Sequence, residues 1–403
     1  MKQNSKLRVS LLHTQNSGVG LWRMIQPAKW VNKLGLAEVK TLPFYWRSHG
    51  YPDWKAYVRD CEDKGLPPSQ EDFQKKMERI PKDPFIDPKV TLIEKLCKWA
   101  DVIVLMRRDM REHSALMLAI RDLKKPLVLE TDDFVHYVPP YNPGARYYRP
   151  GSEQTDIWAN KQFELADAVI VTTPGLKKLY RQLHSKIYIC PNMVDPDYWI
   201  GDYKRNPKWE DTKLIKIGWT GANAHWGDLR ILKEVIHVIA KKYPQVRFHF
   251  IGQLPDWWYD LKKKKVIVHH KFKNLAHYPR YLYSLGYDIG IAPLLDNLFN
   301  RGKSQIRWME YAVSKAAVVA SPIWAYNKDP YGIAKHGKNI LFAKYKEDWI
   351  KQLSRLIEDE TLRKKIGQQG YDDVMNHYNL EKQAHKYVEV WQDIYDKYYY
   401  RKP

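Results

Sequence analysis

Leu7-Arg8-Val9-Ser10-Leu11-Leu12 leads to the turn Asn16-Ser17-Gly18-Val19-Gly20; an amphipathic stretch from Leu21 to Lys33 follows, then a second apolar run at Glu38–Phe44. An apolar run, a glycine turn, a helical period and another apolar run predict β-turn-α-β, the opening unit of a parallel, doubly wound sheet. Strand signals resume at Asp101–Met106, Pro126–Glu130 and Ala168–Thr172, with helices at Arg111–Leu123 and Gln154–Leu165 between them. These strands are short, continuously apolar and rich in Val and Ile, as expected where helices cover both faces. Between them, residues 46–90 break the rhythm with six prolines from Pro52 to Pro88, which predicts an insertion on the rim.

The alternation stops at Pro191-Asn192-Met193-Val194-Asp195-Pro196 and restarts with strands at Leu214–Trp219, Val246–Ile251, Val266–His269, Ile289–Ala292 and Ala317–Ala320. Helical periods fall at Leu229–Lys242, Leu275–Leu285, Ser304–Ser314, Lys346–Glu358 and Thr361–His377, and a last amphipathic helix at Leu380–Tyr399 has no strand after it. The expected fold is therefore α/β, two Rossmann-like lobes whose parallel sheets face a cleft. Residues 1–198 are expected to form the first lobe, 199–378 the second, and 379–403 a helix returning to the first.

The 403 residues suffice for two such lobes, and 44% hydrophobic content suffices for their cores. No apolar run matches a signal peptide or a bilayer span, so a cytoplasmic location in a bacterium or a phage-infected host cell is expected. Cys61, Cys97 and Cys190 are sparse and unpaired in spacing, which excludes a zinc ribbon and predicts small buried hydrophobes. The charge is unusual: 67 Lys+Arg against 46 Asp+Glu leave +21. That excess favours a polyanion (nucleic acid, anionic lipid or phosphorylated glycan) over solubility alone. The run Lys262–Lys265 reads equally as a solvated loop, and the 16 Trp and 28 Tyr suit either stacking or a large core.

Ligands of open parallel sheets bind beyond the strands' carboxyl ends. Gly18-Val19-Gly20 and Gly218-Trp219-Thr220-Gly221-Ala222 occupy matching places in the two lobes, where glycine turns admit phosphate to backbone N–H groups. Lys303 and Ser304 at a helix start suit an anion, and Glu310, two turns on near the same face, suits ribose hydroxyls; a surface Lys–Glu pair is the plainer reading. Glu130-Thr131-Asp132-Asp133 ends an apolar strand. Its acids can orient an acceptor hydroxyl, act as a base or hold a cation, with one aspartate acting as a cap. Hydrolase, Walker and paired-cysteine motifs are absent from the sequence.

Ile217-Gly218-Trp219-Thr220-Gly221 with His225-Trp226-Gly227-Asp228-Leu229, and Ile289-Gly290-Ile291-Ala292-Pro293-Leu294 with Phe299-Asn300, Lys303-Ser304 and Glu310-Tyr311-Ala312, resemble the donor lobe of glycosyltransferase family 4. Val318-Val319-Ala320-Ser321-Pro322 closes that block. Arg107, the Glu130–Asp133 cluster, Thr172-Thr173-Pro174 and Pro191-Asn192-Met193-Val194-Asp195 resemble the acceptor lobe and hinge. The resemblance implies a GT-B fold and a retaining hexosyl- or pentosyltransferase using a UDP- or GDP-sugar, with no further cofactor and no metal. Glu310 would hold the ribose, and Lys303, aided by Ser304 and Gly221, the diphosphate; the nucleotide's base would lie near His270-Lys271-Phe272. Two departures stand out: Gly302 replaces the motif's first glutamate, leaving Asn300 or Asp296 for the sugar, and Trp226 replaces a customary basic residue.

With Lys303 and the glycine-turn N–H groups stabilising the leaving diphosphate, Asp132 or Asp133 positions the acceptor. Arg107, Glu130, Asp132, Arg146 and Tyr147 are the expected acceptor contacts. The acceptor reading leans to a modified base in phage DNA, followed closely by a surface polysaccharide or lipid-linked glycan; no stable protein partner is expected. The reading from another class is a non-catalytic nucleic-acid-binding protein on the same scaffold.

Overall fold

The computed structural model describes residues 6–13, 18–43, 88–108, 111–148, 151–207, 213–252, 254–272, 274–323 and 331–400. Its first sheet contains β1 (Arg8–His13), β2 (Glu38–Pro43), β3 (Val102–Met106), β4 (Leu127–Thr131), β5 (Ala168–Val171) and β6 (Ile187–Ile189), in the order β2-β1-β3-β4-β5-β6. The second contains β7 (Ile215–Gly221), β8 (Val246–Gly252), β9 (Ile267–His270), β10 (Ile289–Ala292), β11 (Ala317–Ala320) and β12 (Leu341–Phe342), in the order β12-β11-β10-β7-β8-β9. All neighbouring strands in both sheets run parallel.

The continuous apolar runs have the expected cause. In β3 all five residues are buried: Ile103 and Leu105 enter one core, while Val102, Val104 and Met106 enter another on the opposite face. Because successive side chains point to opposite faces, a strand covered on both sides must be apolar throughout. In β11, likewise, Ala317 and Val319 enter one core and Val318 and Ala320 the other.

The last chain segment returns to the first lobe. Leu380, Ala384, Tyr387, Trp391 and Ile394 share a core with Val9, Leu11 and Trp30. The single helix expected at Leu380–Tyr399 is two, Leu380–Gln383 and His385–Tyr399. At the crossing, the Val194 N–H donates to the Tyr378 carbonyl at 2.6 Å and the Leu380 N–H to the Val194 carbonyl at 2.9 Å.

Two edge strands, Ile187–Ile189 and Leu341–Phe342, have no counterpart in the sequence reading, being too short to show a period. The insertion expected at 46–90 lies outside the described residues as far as Pro88, where the helix Pro88–Trp99 begins. Cys97 and Cys190 are buried and free, and Cys61 lies outside the described residues. Among the described residues no helix is long and apolar enough to cross a membrane.

Trp391, 2% exposed, anchors the returning helix. Trp391→Ala should destabilise the protein by about 3–5 kcal/mol in urea denaturation. A loss below about 1 kcal/mol would mean the helix does not support the first lobe.

Candidate functional site

A cleft of about 580 Å³ lies between the carboxyl ends of the two sheets. The first lobe contributes Gly18 and Val19, which head a helical run of Gly18–Gly20, a π-helical turn Leu21–Ile25 and Gln26–Lys33. It also contributes Asp132 and Asp133, immediately past β4. The second lobe contributes Thr220 and Gly221 at the end of β7, Phe272 beyond β9, and Lys303, Ser304, Arg307 and Glu310. In the second sheet the strand order reverses between β7 and β10, the switch point where such sheets bind ligands.

The polar groups are organised in two connected sets. On the second lobe, Arg307 Nη1 donates to Thr220 Oγ1 at 2.7 Å and to the Glu310 carboxylate, and the Tyr278 hydroxyl donates to Glu310 Oε2 at 3.1 Å. Glu310 is 4% exposed, so its charge is held by that cation and that hydroxyl. On the first lobe, Arg23 donates through Nε to Glu130 Oε1 at 2.8 Å and through Nη1 to Asn192 Oδ1 at 3.2 Å. Asn192 Nδ2 then donates to Ser304 Oγ of the other lobe at 2.8 Å.

Across the cleft, Lys303 Nζ donates to Asp133 Oδ1 at 2.5 Å. Burial opposes ionisation of Asp133, but the Lys303 ammonium together with Arg107 and His225 outweighs it and holds that carboxyl below its ordinary value. Burial and the Asp133 charge push the neighbouring Asp132 carboxyl up. Two adjacent aspartates thus differ in proton affinity through their surroundings, the arrangement that assigns distinct acid and base roles.

Gly18, Asp132, Asp133, Thr220 and Gly221 meet in this cleft with Phe272, Lys303, Ser304 and Glu310. Others do not line it. Glu130 is 3% exposed and bound to Arg23, so as an acceptor contact it is corrected: it braces the cleft from beneath. Burial pushes its carboxyl up to about 7, with Arg23 pulling the other way. Gly218 is not in a turn but inside β7, where an added Cβ would lie 2.0 Å from the Tyr287 ring. Gly20 is buried in the helical run. His270 is buried, with Nε2 3.1 Å from His249 Nδ1. Asn300 is 1% exposed; its Nδ2 donates to Asp228 Oδ1 at 2.7 Å and to the Leu295 carbonyl at 2.9 Å. Asp296, the other residue considered for the sugar, pairs with Arg301. Arg107 donates to Thr131 Oγ1 at 3.0 Å, and Arg146 and Tyr147 are exposed, the guanidinium 4.6 Å from the ring centre.

The expected Lys303–Glu310 face does not form, because the helix starts at Ile306 rather than Ser304 and Lys303 turns to the other lobe. Arg307 is the cation the sequence reading missed, three residues before Glu310 and on its face. Gly302, the departure from the family motif, has a packing reason. Its added Cβ would stand 3.0 Å from Leu176 and 3.5 Å from Phe134 of the first lobe, and its carbonyl accepts from Thr173 Oγ1 at 3.0 Å.

Residues 230–389 match a family model described as glycosyl transferase-like. No curated protein matches the sequence significantly. Among solved structures the chain is similar to a glycosyltransferase from Rickettsia africae ESF-5, at 16% identity over 97% of this chain and 99% of that one, with a TM-score of 0.62. It is similar to Anabaena Alr3699/HepE in complex with UDP and glucose, at 14% identity over 96% of this chain and 100% of that one, with a TM-score of 0.62. It is also similar to a mutant TarM from S. aureus in complex with fondaparinux, alpha-GlcNAc-glycerol and UDP, at 11% identity over 97% and 100% of the chains, with a TM-score of 0.58.

Removing one partner of a buried ion pair leaves the other charge uncompensated. Glu130→Gln strands the Arg23 guanidinium and should lower stability by about 3–5 kcal/mol in urea denaturation. A change within about 0.5 kcal/mol would show that Glu130 does not brace the cleft.

Proposed function

We propose that this chain, a glycosyltransferase of the GT-B fold, moves a sugar from a UDP- or GDP-sugar to an acceptor hydroxyl with retention of anomeric configuration. The carrying observation is the opposition of Lys303, Arg307 and Glu310 on one wall to Asp132 and Asp133 on the other, across one cleft between two sheet edges. Glu310, at the bottom of the Arg307–Tyr278 network, accepts the ribose hydroxyls. Lys303 exchanges Asp133 for the diphosphate, and the N–H groups at the head of the Gly18 helical run and at Gly221 complete the anion site. The UDP held by HepE and by the TarM mutant supports the same kind of donor here.

As the bond between the anomeric carbon and the phosphate oxygen breaks, its electron pair passes to the diphosphate and positive character grows on the sugar. Lys303 is placed to stabilise the first, and the acids face the second. The acceptor oxygen attacks from the same face, and the leaving phosphate takes its proton, so no protein nucleophile is required. Asp132 orients the incoming hydroxyl. In this reading Lys303 and the backbone donors neutralise the diphosphate.

For the acceptor, a modified DNA base stands first, on the +21 charge and the exposed Arg146–Tyr147 pair. A surface or lipid-linked glycan is the second reading, favoured by the glycan ligands of the TarM mutant. Lys262–Lys265 are all exposed at a helix end, as a solvated run would be.

Calorimetry with UDP- and GDP-sugars should show binding, and Lys303→Ala should weaken it at least about tenfold, the loss of one charge-assisted contact. No binding by the wild type would leave only the non-catalytic scaffold reading. NMR of the product should show the donor's anomeric configuration; inversion would overturn the same-face step. Salt-dependent retention on DNA, without co-sedimentation on anionic vesicles, would support the nucleic-acid acceptor, and the reverse would support the lipid-linked one.

A further inference from the structure

One polar cluster on the cleft wall has no part in the mechanism above. Asp228, 1% exposed, sits in the helical turn Trp226–Leu229 just beyond β7. Its Oδ1 accepts from the Tyr141 hydroxyl at 3.0 Å, from the Leu295 N–H at 3.0 Å and from Asn300 Nδ2 at 2.7 Å. Its Oδ2 faces His225 Nδ1 at 3.0 Å. Tyr141 comes from the first lobe, and its ring covers Gly227 so closely that an added Cβ there would lie 2.3 Å from it. The carboxylate is therefore fixed by three donors on one oxygen and has its other oxygen reserved for the imidazole.

His225 lines the cleft and keeps 29% of its side chain exposed. With Nδ1 against a carboxylate, which only accepts, Nδ1 carries a hydrogen and Nε2 is the nitrogen left for a ligand. No described residue bonds Nε2. The charged groups around the ring are Asp228 on its own turn, Asp133 with its partner Lys303 across the cleft, and Arg146 on the 3-10 turn Pro143–Arg146 packed against Asn223–His225. Tyr141 adds a hydroxyl, bound to Asp228 and in reach of Asn297 Nδ2 at 3.1 Å.

We propose that His225 is a donor-side ligand, its imidazolium giving the Nε2 hydrogen to the diphosphate of the nucleotide sugar, with Asp228 as the positioning residue. This rests on the nucleotide-sugar reading. Lys303 supplies a fixed charge to the anion; His225 supplies one that depends on pH. Only the imidazolium has both nitrogens protonated, one for Asp228 and one for a phosphate oxygen. Donor binding therefore selects the imidazolium, and wherever the free imidazole is neutral, binding takes up a proton and affinity falls as pH rises.

The probes are UDP-glucose and GDP-mannose, whose diphosphate diesters do not titrate near neutrality. Calorimetry in buffers of different ionisation enthalpy should show uptake approaching about one proton per donor, with affinity falling at most about tenfold per pH unit in the titrating range. His225→Gln should remove both effects, and Asp228→Asn should reduce the uptake. His225→Lys should restore affinity and make it independent of pH up to about 8.5, a rescue that a structural role would not give. Thermal unfolding of each variant identifies a misfolded one, and His225→Lys keeps the question answerable if Asp228→Asn unfolds. If a probe binds the wild type and His225→Gln with the same proton uptake, the inference is overturned and the donor site stands. If neither probe binds the wild type at any pH from about 6 to 8.5, both fall.

Discussion

Three consecutive residues of the second lobe each bond to a different element of the first. The Gly302 carbonyl accepts from Thr173 past β5, Lys303 donates to Asp133 past β4, and Ser304 accepts from Asn192 past β6. Each bond alone is worth only about 0.5–1.5 kcal/mol, or more where a charge is involved. Their combined effect is geometric: one short segment is fixed against three strand ends at once. The start of the Ile306–Ala312 helix, and with it Arg307 and Glu310, inherits that position.

The same constraint accounts for acids at the centre of a strongly basic chain. Asp133 is ionised opposite Lys303, Glu130 is enclosed with Arg23, and Glu310 with Arg307. Burying any one of these charges alone would cost several kcal/mol, so each carboxylate brings its cation. Pairing also keeps the cations ready. A guanidinium or ammonium already desolvated beside a carboxylate has less water to shed when an anionic ligand takes that carboxylate's place.

Both sheets were legible because their strands are uniformly apolar and separated by helical periods, as Val102–Met106 and Ala317–Ala320 show. What stayed hidden was what depends on a second lobe. Arg307 stands at i,i+3 from Glu310 and so shares its face in any helix covering both; what the sequence does not show is the later helix start at Ile306, which frees Lys303 to cross. Gly302 reads as a defect in a motif until Leu176 and Phe134 are seen against it. Glu130 and Asp132 look equivalent in the sequence, yet Glu130 lies inside β4 bound to Arg23, while Asp132 stands just past the strand's end at the cleft.

The chain passes between its halves at Val194 and again at Tyr378–Leu380, and the two passages are tied side by side by a pair of backbone N–H···O bonds. A single covalent link would let one half swivel freely about it. Two strands joined as a miniature ladder resist torsion more than a single link does. Asn379 fixes the edge of that ladder by capping the turn that follows, its Oδ1 accepting the Glu381 N–H at 2.8 Å.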